Sequence, residues 1–193
     1  MSTANAKLAR TTFQTTRLIG FCSERELTTE IGHGRDEWPL VVLKELVDNA
    51  LDASEKAGVA PEIAVTVDNE GITVTDNGPG IPADTVEKLL DYSKRTSSRE
   101  AYVSPTRGAQ GNALQTLFAM AYVLDGTTGR VDITARDQRH EIAFAVDQIR
   151  QTPALSHAIH EAENVKIGTN IKFWWPPRYI TLVDAQGRFL ERV

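Results

Sequence analysis

The hydrophobic pattern of the chain changes period several times, and each change marks a predicted helix or strand. The longest helical pattern runs from Leu40 to Ala57, where apolar residues recur three, four and seven positions apart. Asp36 is predicted as the N-cap, Pro39 suits the first turn, and Gly58 ends the helix. Because this helix is apolar around most of its circumference, we expect it to be buried inside a domain.

Alternating segments predict two β-hairpins. The first pairs EIAVTVD with GITVTD across Asn69-Glu70-Gly71, and the second pairs RVDITARD with HEIAFAVD about Asp137-Gln138. The segment VKIGTNIKFWWP predicts one or two further strands. Weaker patterns predict helical structure over Phe13–Ile31, a helix over Ala83–Leu90, a long loop over residues 91–110 and a helix over Gly111–Met120. The patterns of residues 151–164 and 178–193 are too weak to assign.

This order of elements favours an α+β fold, a two-layer α/β sandwich with a mixed, mostly antiparallel sheet and its helices on one face. The length of 193 residues suits one domain, with or without a short appendage. The net charge of −5 argues against a domain that binds nucleic acid everywhere through its phosphates. Cys22 is the single cysteine, and no apolar segment reaches the roughly 20 residues that cross a membrane. We therefore expect a soluble, cytoplasmic domain with no membrane contact.

One side of the Leu40–Ala57 helix is acidic. Its polar residues follow one another three or four positions apart and so share a face: Glu45, Asp48, Asn49 and Asp52. This face is either an ordinary solvated surface or a set of carboxylates that meet cations, hydrogen-bond donors or a metal ion, because burying carboxylates alone is costly.

Three glycine-bearing turns are suited to a nucleotide. In DNGPGIP, Gly78 and Gly80 permit close backbone approach, and the Asp76 carboxylate can accept a hydrogen bond from an exocyclic amine such as that of adenine. In RGAQGNALQTL, two glycines precede a helix whose N-terminal N–H groups favour phosphate. In IGTN, Thr169 offers a small hydroxyl donor. Taken singly, each turn is more often an ordinary loop than a binding site, so the evidence lies in their order.

The order ELVDNALDA, a hairpin, DNGPGIP, a long loop and RGAQGNAL resembles the GHKL superfamily, whose members share the Bergerat ATP-binding fold. Within it, the sequence is most similar to the B subunits of type IIB topoisomerases (topoisomerase VI). That likeness rests on KELVDNALDA, on PEIAVTV leading into ITVTDNGPGIP, and on RGAQG at the start of a helix. It is most specific from Trp38 to Val123, and it implies a domain that binds ATP with Mg²⁺.

The resemblance implies roles for individual residues. Glu45 would be the general base that activates the attacking water, and Asn49 would coordinate the Mg²⁺ that bridges the phosphates. Asp76 would bind the adenine amine, and Gly80 would let the base lie against the backbone. Thr169 would support the adenine pocket.

The phosphate end would be formed mainly by backbone amides. The segment that would cradle the β- and γ-phosphates consists of Gly108, Ala109, Gln110, Gly111, Asn112, Ala113 and Leu114. Lys94 and Arg107 would neutralise phosphate charge or simply face solvent. Asp48 and Asp52 would lie behind the metal ligand or in solvent rather than contact the metal.

Two departures from the family pattern bear on turnover. Ala113 stands where the phosphate loop usually carries a third glycine. In the topoisomerases a lysine from a following transducer domain completes the γ-phosphate site, and we do not expect that domain within these 193 residues. Since phosphoryl transfer depends mainly on positioning and electrostatic stabilisation, the sequence predicts nucleotide binding with slow or negligible turnover.

The predicted units are an N-terminal arm and leading helix (1–35), an ATP-binding domain (36–177), and a tail or the start of another domain (178–193). The resemblance implies that ATP closes the 91–110 loop as a lid and favours a homodimer, with the arm exchanged between copies. A DNA-cleaving A-type subunit and DNA would be partners of the full assembly. The alternative is an ATP-gated dimer clamp of the MutL or chromatin-ATPase type. A histidine kinase is disfavoured because no phosphoacceptor helix pair is evident, and a relative that binds no nucleotide is the last alternative.

Overall fold

The computed structural model describes residues 23–68, 70–90, 103–104, 108–109, 113–147, 149, 152–162, 165, 167–175, 182–183 and 189–190. Its α-helices are α1 (Glu24–Ile31), α2 (Trp38–Ala57), α3 (Ala83–Leu90) and α4 (Ala113–Asp125), and a 3₁₀ helix (Arg35–Glu37) precedes α2. Its strands are β1 (Ile63–Val67), β2 (Gly71–Asp76), β3 (Val103–Ser104), β4 (Gly108–Ala109), β5 (Gly129–Ala135), β6 (Gln138–Asp147), β7 (Thr152–Glu161), β8 (Thr169–Trp174), β9 (Leu182–Val183) and β10 (Phe189–Leu190). Across these ranges, no helix has the length and apolar character needed to cross a membrane.

Six strands form one antiparallel sheet in the order β1-β2-β8-β5-β6-β7. The two predicted hairpins are present, with Val65 opposite Val74 in the first and Val131 opposite Ile142 in the second. Strand β8 lies between the hairpins and pairs with both β2 and β5. Helix α2 packs on β2 and helix α4 on β5 and β6. This arrangement confirms the predicted α+β fold, although every strand pair of this six-stranded sheet is antiparallel and the sheet is not mixed.

Helix α4 is the centre of the helical layer, because α1, α2 and α3 all contact it. Its buried side chains occupy every side of the helix: Leu117, Phe118, Ala119, Met120, Ala121, Tyr122 and Leu124. On the sheet, the inward positions Val74, Ile133 and Phe173 are buried against this layer. A helix that is apolar all round is stable only in such an enclosed position.

The predicted start of α2 is wrong in one detail. Asp36 is not the N-cap but lies in the 3₁₀ helix, and α2 begins at Trp38 with no side-chain cap. The cause is the burial of Trp38, whose indole N–H donates to the His33 carbonyl at 3.1 Å and so requires a tight turn before the helix. Pro39 does occupy the first helical turn, and Gly58 ends the helix at φ 67°.

The ends of several other predicted helices and loops differ from those in the structure. Helix α1 begins at Glu24, where Ser23 caps it, and the earlier part of the Phe13–Ile31 prediction lies outside the described residues. Helix α3 has the predicted bounds, whereas α4 continues past Met120 to Asp125. The unassigned stretch 151–164 contains strand β7, and the unassigned tail contains the β9–β10 pair. Within the predicted 91–110 loop, β3 pairs with β4.

Candidate functional site

Asp76 lies at the end of β2, where β2 and β8 separate. Its Oδ1 accepts the backbone N–H of Gly78 at 2.8 Å and that of Thr169 at 3.2 Å. Burial raises the pKa of the Asp76 carboxyl above its usual value, although the two N–H groups act in the opposite direction. Thr169 is itself buried. The Asp76 carboxylate is therefore held in one orientation at a partly buried position.

Two glycines allow the backbone to close around this carboxylate. Gly168 has φ 88° and donates its N–H to the Gly78 carbonyl at 2.8 Å. A Cβ on Gly168 would lie 1.9 Å from the carbonyl oxygen of Asp76, so no larger residue fits. Gly80 has φ 74°, and a Cβ there would lie 2.9 Å from the Gly168 carbonyl oxygen. The DNGPG loop and the start of β8 are thus in direct backbone contact.

The side chain of Asn77 connects this loop to the end of α2. Its Nδ2 donates to the Ala60 carbonyl at 2.9 Å, and its Oδ1 accepts the Glu62 N–H at 3.0 Å. The buried hydroxyl of Ser54 on α2 donates to the Ala50 carbonyl at 3.1 Å and lies 3.4 Å from the same Oδ1. These bonds fix the backbone between Asp76 and the glycines relative to α2.

One row of residues on α2 begins at the DNGPG loop and continues toward the start of the helix. Glu45, Asn49 and Ala53 lie four residues apart and share one face. Ala53 touches the loop, because a Cβ on Gly78 would lie 3.0 Å from the Ala53 Cβ. The row from Ala53 to Glu45 spans about 12 Å along the helix axis. Halfway along it, the Nδ2 of Asn49 is buried and has no hydrogen-bond partner among the described residues.

Glu45 lies at the far end of this row, in the wall of a cavity of about 360 Å³ between α1, α2 and α4. The other lining residues are Ile31, His33, Val41, Lys44, Thr116, Leu117 and Met120. Thr116 belongs to the first turn of α4. The Glu45 carboxylate therefore shares a cavity with the N-terminal turn of α4, the end of a helix that favours anions.

The predicted phosphate segment is described only in part. Gly108 and Ala109 form β4, Ala113 begins α4, and Leu114 is partly buried against the core. The predicted residues that lie outside the described part of the chain are Lys94, Arg107, Gln110, Gly111 and Asn112. The Gln115 side chain donates to the Leu89 carbonyl at 3.0 Å, so the residues on either side of segment 91–112 lie close together.

The structure brings Asp76, Gly80 and Thr169 together and places Glu45 and Asn49 on one row of α2. Asp52 is buried, so it is not one of the solvated carboxylates that the sequence allowed. Asp48 is paired with Lys44 beside the row.

Sequence reasoning missed Arg136 and gave Gly168 no role in closing the site. Arg136 occupies the β5–β6 turn at φ 51°, and its Nε donates to the Pro79 carbonyl at 3.2 Å. Its Cγ lies 3.1 Å from where a Cβ on Gly80 would be. Because Arg136 and Pro79 are 57 residues apart, no local signal in the sequence points to this contact.

The helix row that carries Glu45 and Asn49 ends at the glycine-rich junction of β2 and β8. The match to a family model identifies the chain as an ATPase domain of the GHKL class. Residues 34–178 match the family described as "Histidine kinase-, DNA gyrase B-, and HSP90-like ATPase", and the chain belongs to this family. It is 32% identical over 154 residues to the B subunit of type 2 DNA topoisomerase 6 from Natronomonas pharaonis. It is 29% identical over 147 residues to the same protein from Archaeoglobus fulgidus.

These alignments cover 74% and 73% of the chain but 18% and 24% of the two relatives, so the chain spans about a fifth of the length of the curated relatives it matches. Among solved structures, the chain is similar to the ATPase region of Saccharomyces cerevisiae topoisomerase II, with a TM-score of 0.46 and 16% identity. That match covers 78% of this chain and 40% of the other.

Proposed function

We propose that this chain is the Mg²⁺-dependent ATP-binding domain of a protein that resembles the topoisomerase VI B subunits. The observation that supports the proposal is the row on α2, which runs from the Asp76 loop past Asn49 to the cavity lined by Glu45. In this proposal the base binds at the loop and the phosphates bind toward the cavity. Membership of the ATPase family supports ATP as the nucleotide. The similarity to the topoisomerase B subunits supports the narrower assignment.

At the base end, Asp76 accepts a hydrogen bond from the adenine amine. The N–H groups of Gly78 and Thr169 orient its carboxylate, so little ordering remains to be done when the base binds. In this proposal the flat base lies against the backbone of Gly80, a residue that must lack a side chain because Gly168 and Arg136 already approach it. Adenine is preferred to guanine because guanine carries a carbonyl where adenine has its amine, and a carbonyl oxygen cannot donate to a carboxylate.

The buried amide of Asn49 fits a metal-bound phosphate. Its Nδ2 has no partner in the described part of the chain, and a buried donor without a partner is costly. Asn49 would hold Mg²⁺ through its amide oxygen, because carboxamide oxygens are suitable Mg²⁺ ligands, and its nitrogen could then donate to a phosphate. When bound, the ion neutralises phosphate charge.

Glu45 acts as the general base from the cavity it shares with α4. In the slow hydrolysis that the sequence allows, its carboxylate takes a proton from the water that attacks the γ-phosphorus. We expect Glu45→Ala to leave the affinity for a non-hydrolysable ATP analogue within about twofold of the parent and to abolish phosphate release, which a radiolabelled-ATP assay measures. A variant that releases phosphate as fast as the parent would show that Glu45 is not the base.

Nucleotide binding also closes the segment 91–110 as a lid and favours a homodimer in this proposal. The Gln115–Leu89 hydrogen bond joins the end of α3 to the first turn of α4, the two helices that flank this segment. An exchanged N-terminal arm, a DNA-cleaving A-type subunit and DNA are the further partners that the similarity to the topoisomerase B subunits suggests.

Isothermal titration calorimetry with a non-hydrolysable ATP analogue tests the central claim. We expect one site per chain, an affinity that falls when Mg²⁺ is replaced by EDTA, and weaker binding of the matching GTP analogue. The absence of binding at millimolar analogue with Mg²⁺ present would contradict the proposal. Equal affinity for the two analogues would contradict the role of Asp76.

A further inference from the structure

Lys44 lies between two carboxylates on α2. Its Nζ is 2.8 Å from Oδ2 of Asp48 and 3.3 Å from Oε1 of Glu45. The hydrogen bond to Asp48 is the main reason that the pKa of Lys44 is raised above its usual value, and the charge of Glu45 adds to it. The ammonium is therefore charged at neutral pH and shared between the two acids.

In the cluster formed by Lys44, Glu45 and Asp48, the two carboxylates are less exposed than the lysine. The side chain of Lys44 is 63% exposed, whereas those of Glu45 and Asp48 are 32% and 19% exposed. Two carboxylates three residues apart on a helix repel each other, and more strongly when they are partly desolvated. The Lys44 ammonium offsets this repulsion and closes the solvent side of the cluster.

Besides Lys44, the polar residues that line the cavity of Glu45 are His33 and Thr116. Lys44 and Glu45 line the 360 Å³ cavity together, and much of the remaining wall is apolar: Ile31, Val41, Leu117 and Met120. Within the described ranges, Lys44 is the hydrogen-bond partner of the Glu45 carboxylate. Without Lys44, that carboxylate would have an apolar wall on one side and the charge of Asp48 on the other.

We propose that Lys44 is a positioning residue for Glu45. Anchored by Asp48, its ammonium holds the Glu45 carboxylate in the cavity wall, in the orientation from which it acts on water. This inference rests on the proposed function, because it takes Glu45 as the general base. Lys44 itself touches neither the nucleotide nor the water.

The step that depends on this orientation is the hydrolysis of ATP. The water oxygen forms a bond to the γ-phosphorus while the bond from that phosphorus to the β,γ-bridging oxygen breaks. ADP leaves with the electron pair, and the proton of the water passes to Glu45. General-base catalysis requires the carboxylate within hydrogen-bond reach of that proton, so a carboxylate that moves away from the water slows the step without affecting nucleotide binding.

A second ion pair provides a matched control. On α3, Lys88 pairs with Asp84 at 3.1 Å, also four residues apart, and both side chains are about two-thirds exposed. This pair has the same helical spacing and involves no proposed site residue. Lys88→Met therefore measures the effect of losing an ordinary surface ion pair.

The experiment compares the full chain with Lys44→Met, Lys44→Arg and Lys88→Met. Phosphate release is followed under single-turnover conditions with protein in excess over ATP, and the affinity for a non-hydrolysable analogue is measured by calorimetry. We expect Lys44→Met to slow phosphate release about tenfold, since general-base catalysis as a whole contributes more than that, and to leave the analogue affinity within about twofold. Lys44→Arg should restore most of the rate, and Lys88→Met should release phosphate at the parent rate.

The outcomes separate this inference from the proposed function. Phosphate release by Lys44→Met at the rate of Lys88→Met overturns the inference, and so does a Lys44→Arg variant as slow as Lys44→Met. A parent chain that binds the analogue but releases no phosphate also overturns it, while ATP binding stands. A parent chain that does not bind the analogue refutes the proposed function itself. Thermal unfolding of each variant checks the fold, and Lys44→Gln replaces Lys44→Met if the latter does not fold.

Discussion

Asp76 is the residue through which the protein would distinguish one base from another, and its protonation state should control affinity. Because burial raises the pKa of this carboxyl, it becomes protonated at a higher pH than an exposed aspartate does. A protonated carboxyl is a poorer acceptor for the adenine amine. We therefore expect affinity for an ATP analogue to fall as the pH is lowered through this raised pKa, as measured by calorimetry between pH 7.5 and 4.5.

Asp76→Asn isolates the charge of this carboxylate. The amide keeps an acceptor oxygen for Gly78 and Thr169 but loses the negative charge, so we expect at least about a tenfold loss of analogue affinity at pH 7.5. Asp84→Asn, which changes an exposed carboxylate on α3, should bind as the parent does. If the pH dependence persists unchanged in Asp76→Asn, another group causes it.

For single residues, the sequence correctly predicts which side chains share a helix face, because that depends only on helical spacing. Glu45 and Asn49 could be placed on one face of a helix from their separation of four residues alone. The sequence could not show that Arg136 reaches Pro79 or that Lys44 is shared between two acids, because the first contact joins distant segments and the second depends on side-chain conformation.

Among the secondary-structure elements, β2 and β8 meet at a junction that leaves no space for a side chain at Gly168. Gly168 and Gly58 both have positive φ, but a Cβ at Gly168 would lie 1.9 Å from the Asp76 carbonyl oxygen, while one at Gly58 would have nothing within 4 Å. Alanine in the left-handed conformation costs about 1–2 kcal/mol at either position. We expect Gly58→Ala to lower the free energy of unfolding by that amount, and Gly168→Ala to lower it further by forcing the strands apart.

Urea denaturation measures both variants, and calorimetry with an ATP analogue measures the consequence for the site. Gly58→Ala should retain the parent affinity because a Cβ at this position would have nothing within 4 Å and so would displace no part of the loop. Gly168→Ala should lose affinity even where it remains folded, since its backbone N–H holds the Gly78 carbonyl. Equal stability of the two variants would mean that the close approach at Gly168 relaxes without strain.

A histidine pair joins β6 to the edge strand β7. Nδ1 of His140 lies 2.9 Å from Nε2 of His157, and the rings stack with their centroids 5.1 Å apart. One nitrogen must donate and the other accept, so the bond is lost when both rings are protonated. Burial and the charge of His157 lower the pKa of His140, although the charge of Glu87 acts in the opposite direction.

The lowered pKa of His140 makes stability depend on pH. A histidine with a lower pKa in the folded state than in the unfolded state binds more protons when unfolded, so its contribution to stability falls as the pH drops below about 6.5. We expect the Tm of the parent to fall between pH 7.5 and 5.5, and to fall less in His140→Phe, by differential scanning calorimetry. His33→Gln, at an exposed position, should follow the parent. Parallel curves for the parent and His140→Phe would exclude His140 as the cause.

The elements with a clear local period were predicted, and those without one were not. The hairpins and α3 follow directly from alternation and amphipathic spacing. Strand β7 was missed because it is an edge strand with mostly exposed positions in TPALSHAIHE, so burial imposes no hydrophobic alternation on it. Asp36 was misplaced because a good capping residue does not reveal that a buried tryptophan requires a preceding 3₁₀ turn.

At the scale of the whole molecule, the order of strands decides whether there is a site at all. Strand β8 lies between the two hairpins, and its start brings Gly168 and Thr169 to Asp76, although Thr169 follows Asp76 by 93 residues. The pattern of a single strand does not specify its neighbours, so the insertion of β8 could not be predicted. The base end of the site is therefore a property of the complete sheet.

The net charge of −5 should govern association of the molecule with a second copy. Two chains of like charge repel each other, and a bound nucleotide adds further negative charge. Raising the ionic strength shortens the screening length from roughly 30 Å at 0.01 M to 8 Å at 0.15 M. If the nucleotide drives dimerisation, we expect sedimentation velocity to show a monomer without nucleotide and a dimer with Mg²⁺ and a non-hydrolysable ATP analogue. Because salt screens the repulsion, the dissociation constant of this dimer should be smaller at the higher salt concentration. Asp76→Asn should require more analogue to reach the same dimer fraction. A dimer that forms equally well without nucleotide, or that weakens as salt screens the charge, would show that association follows some other surface of the chain.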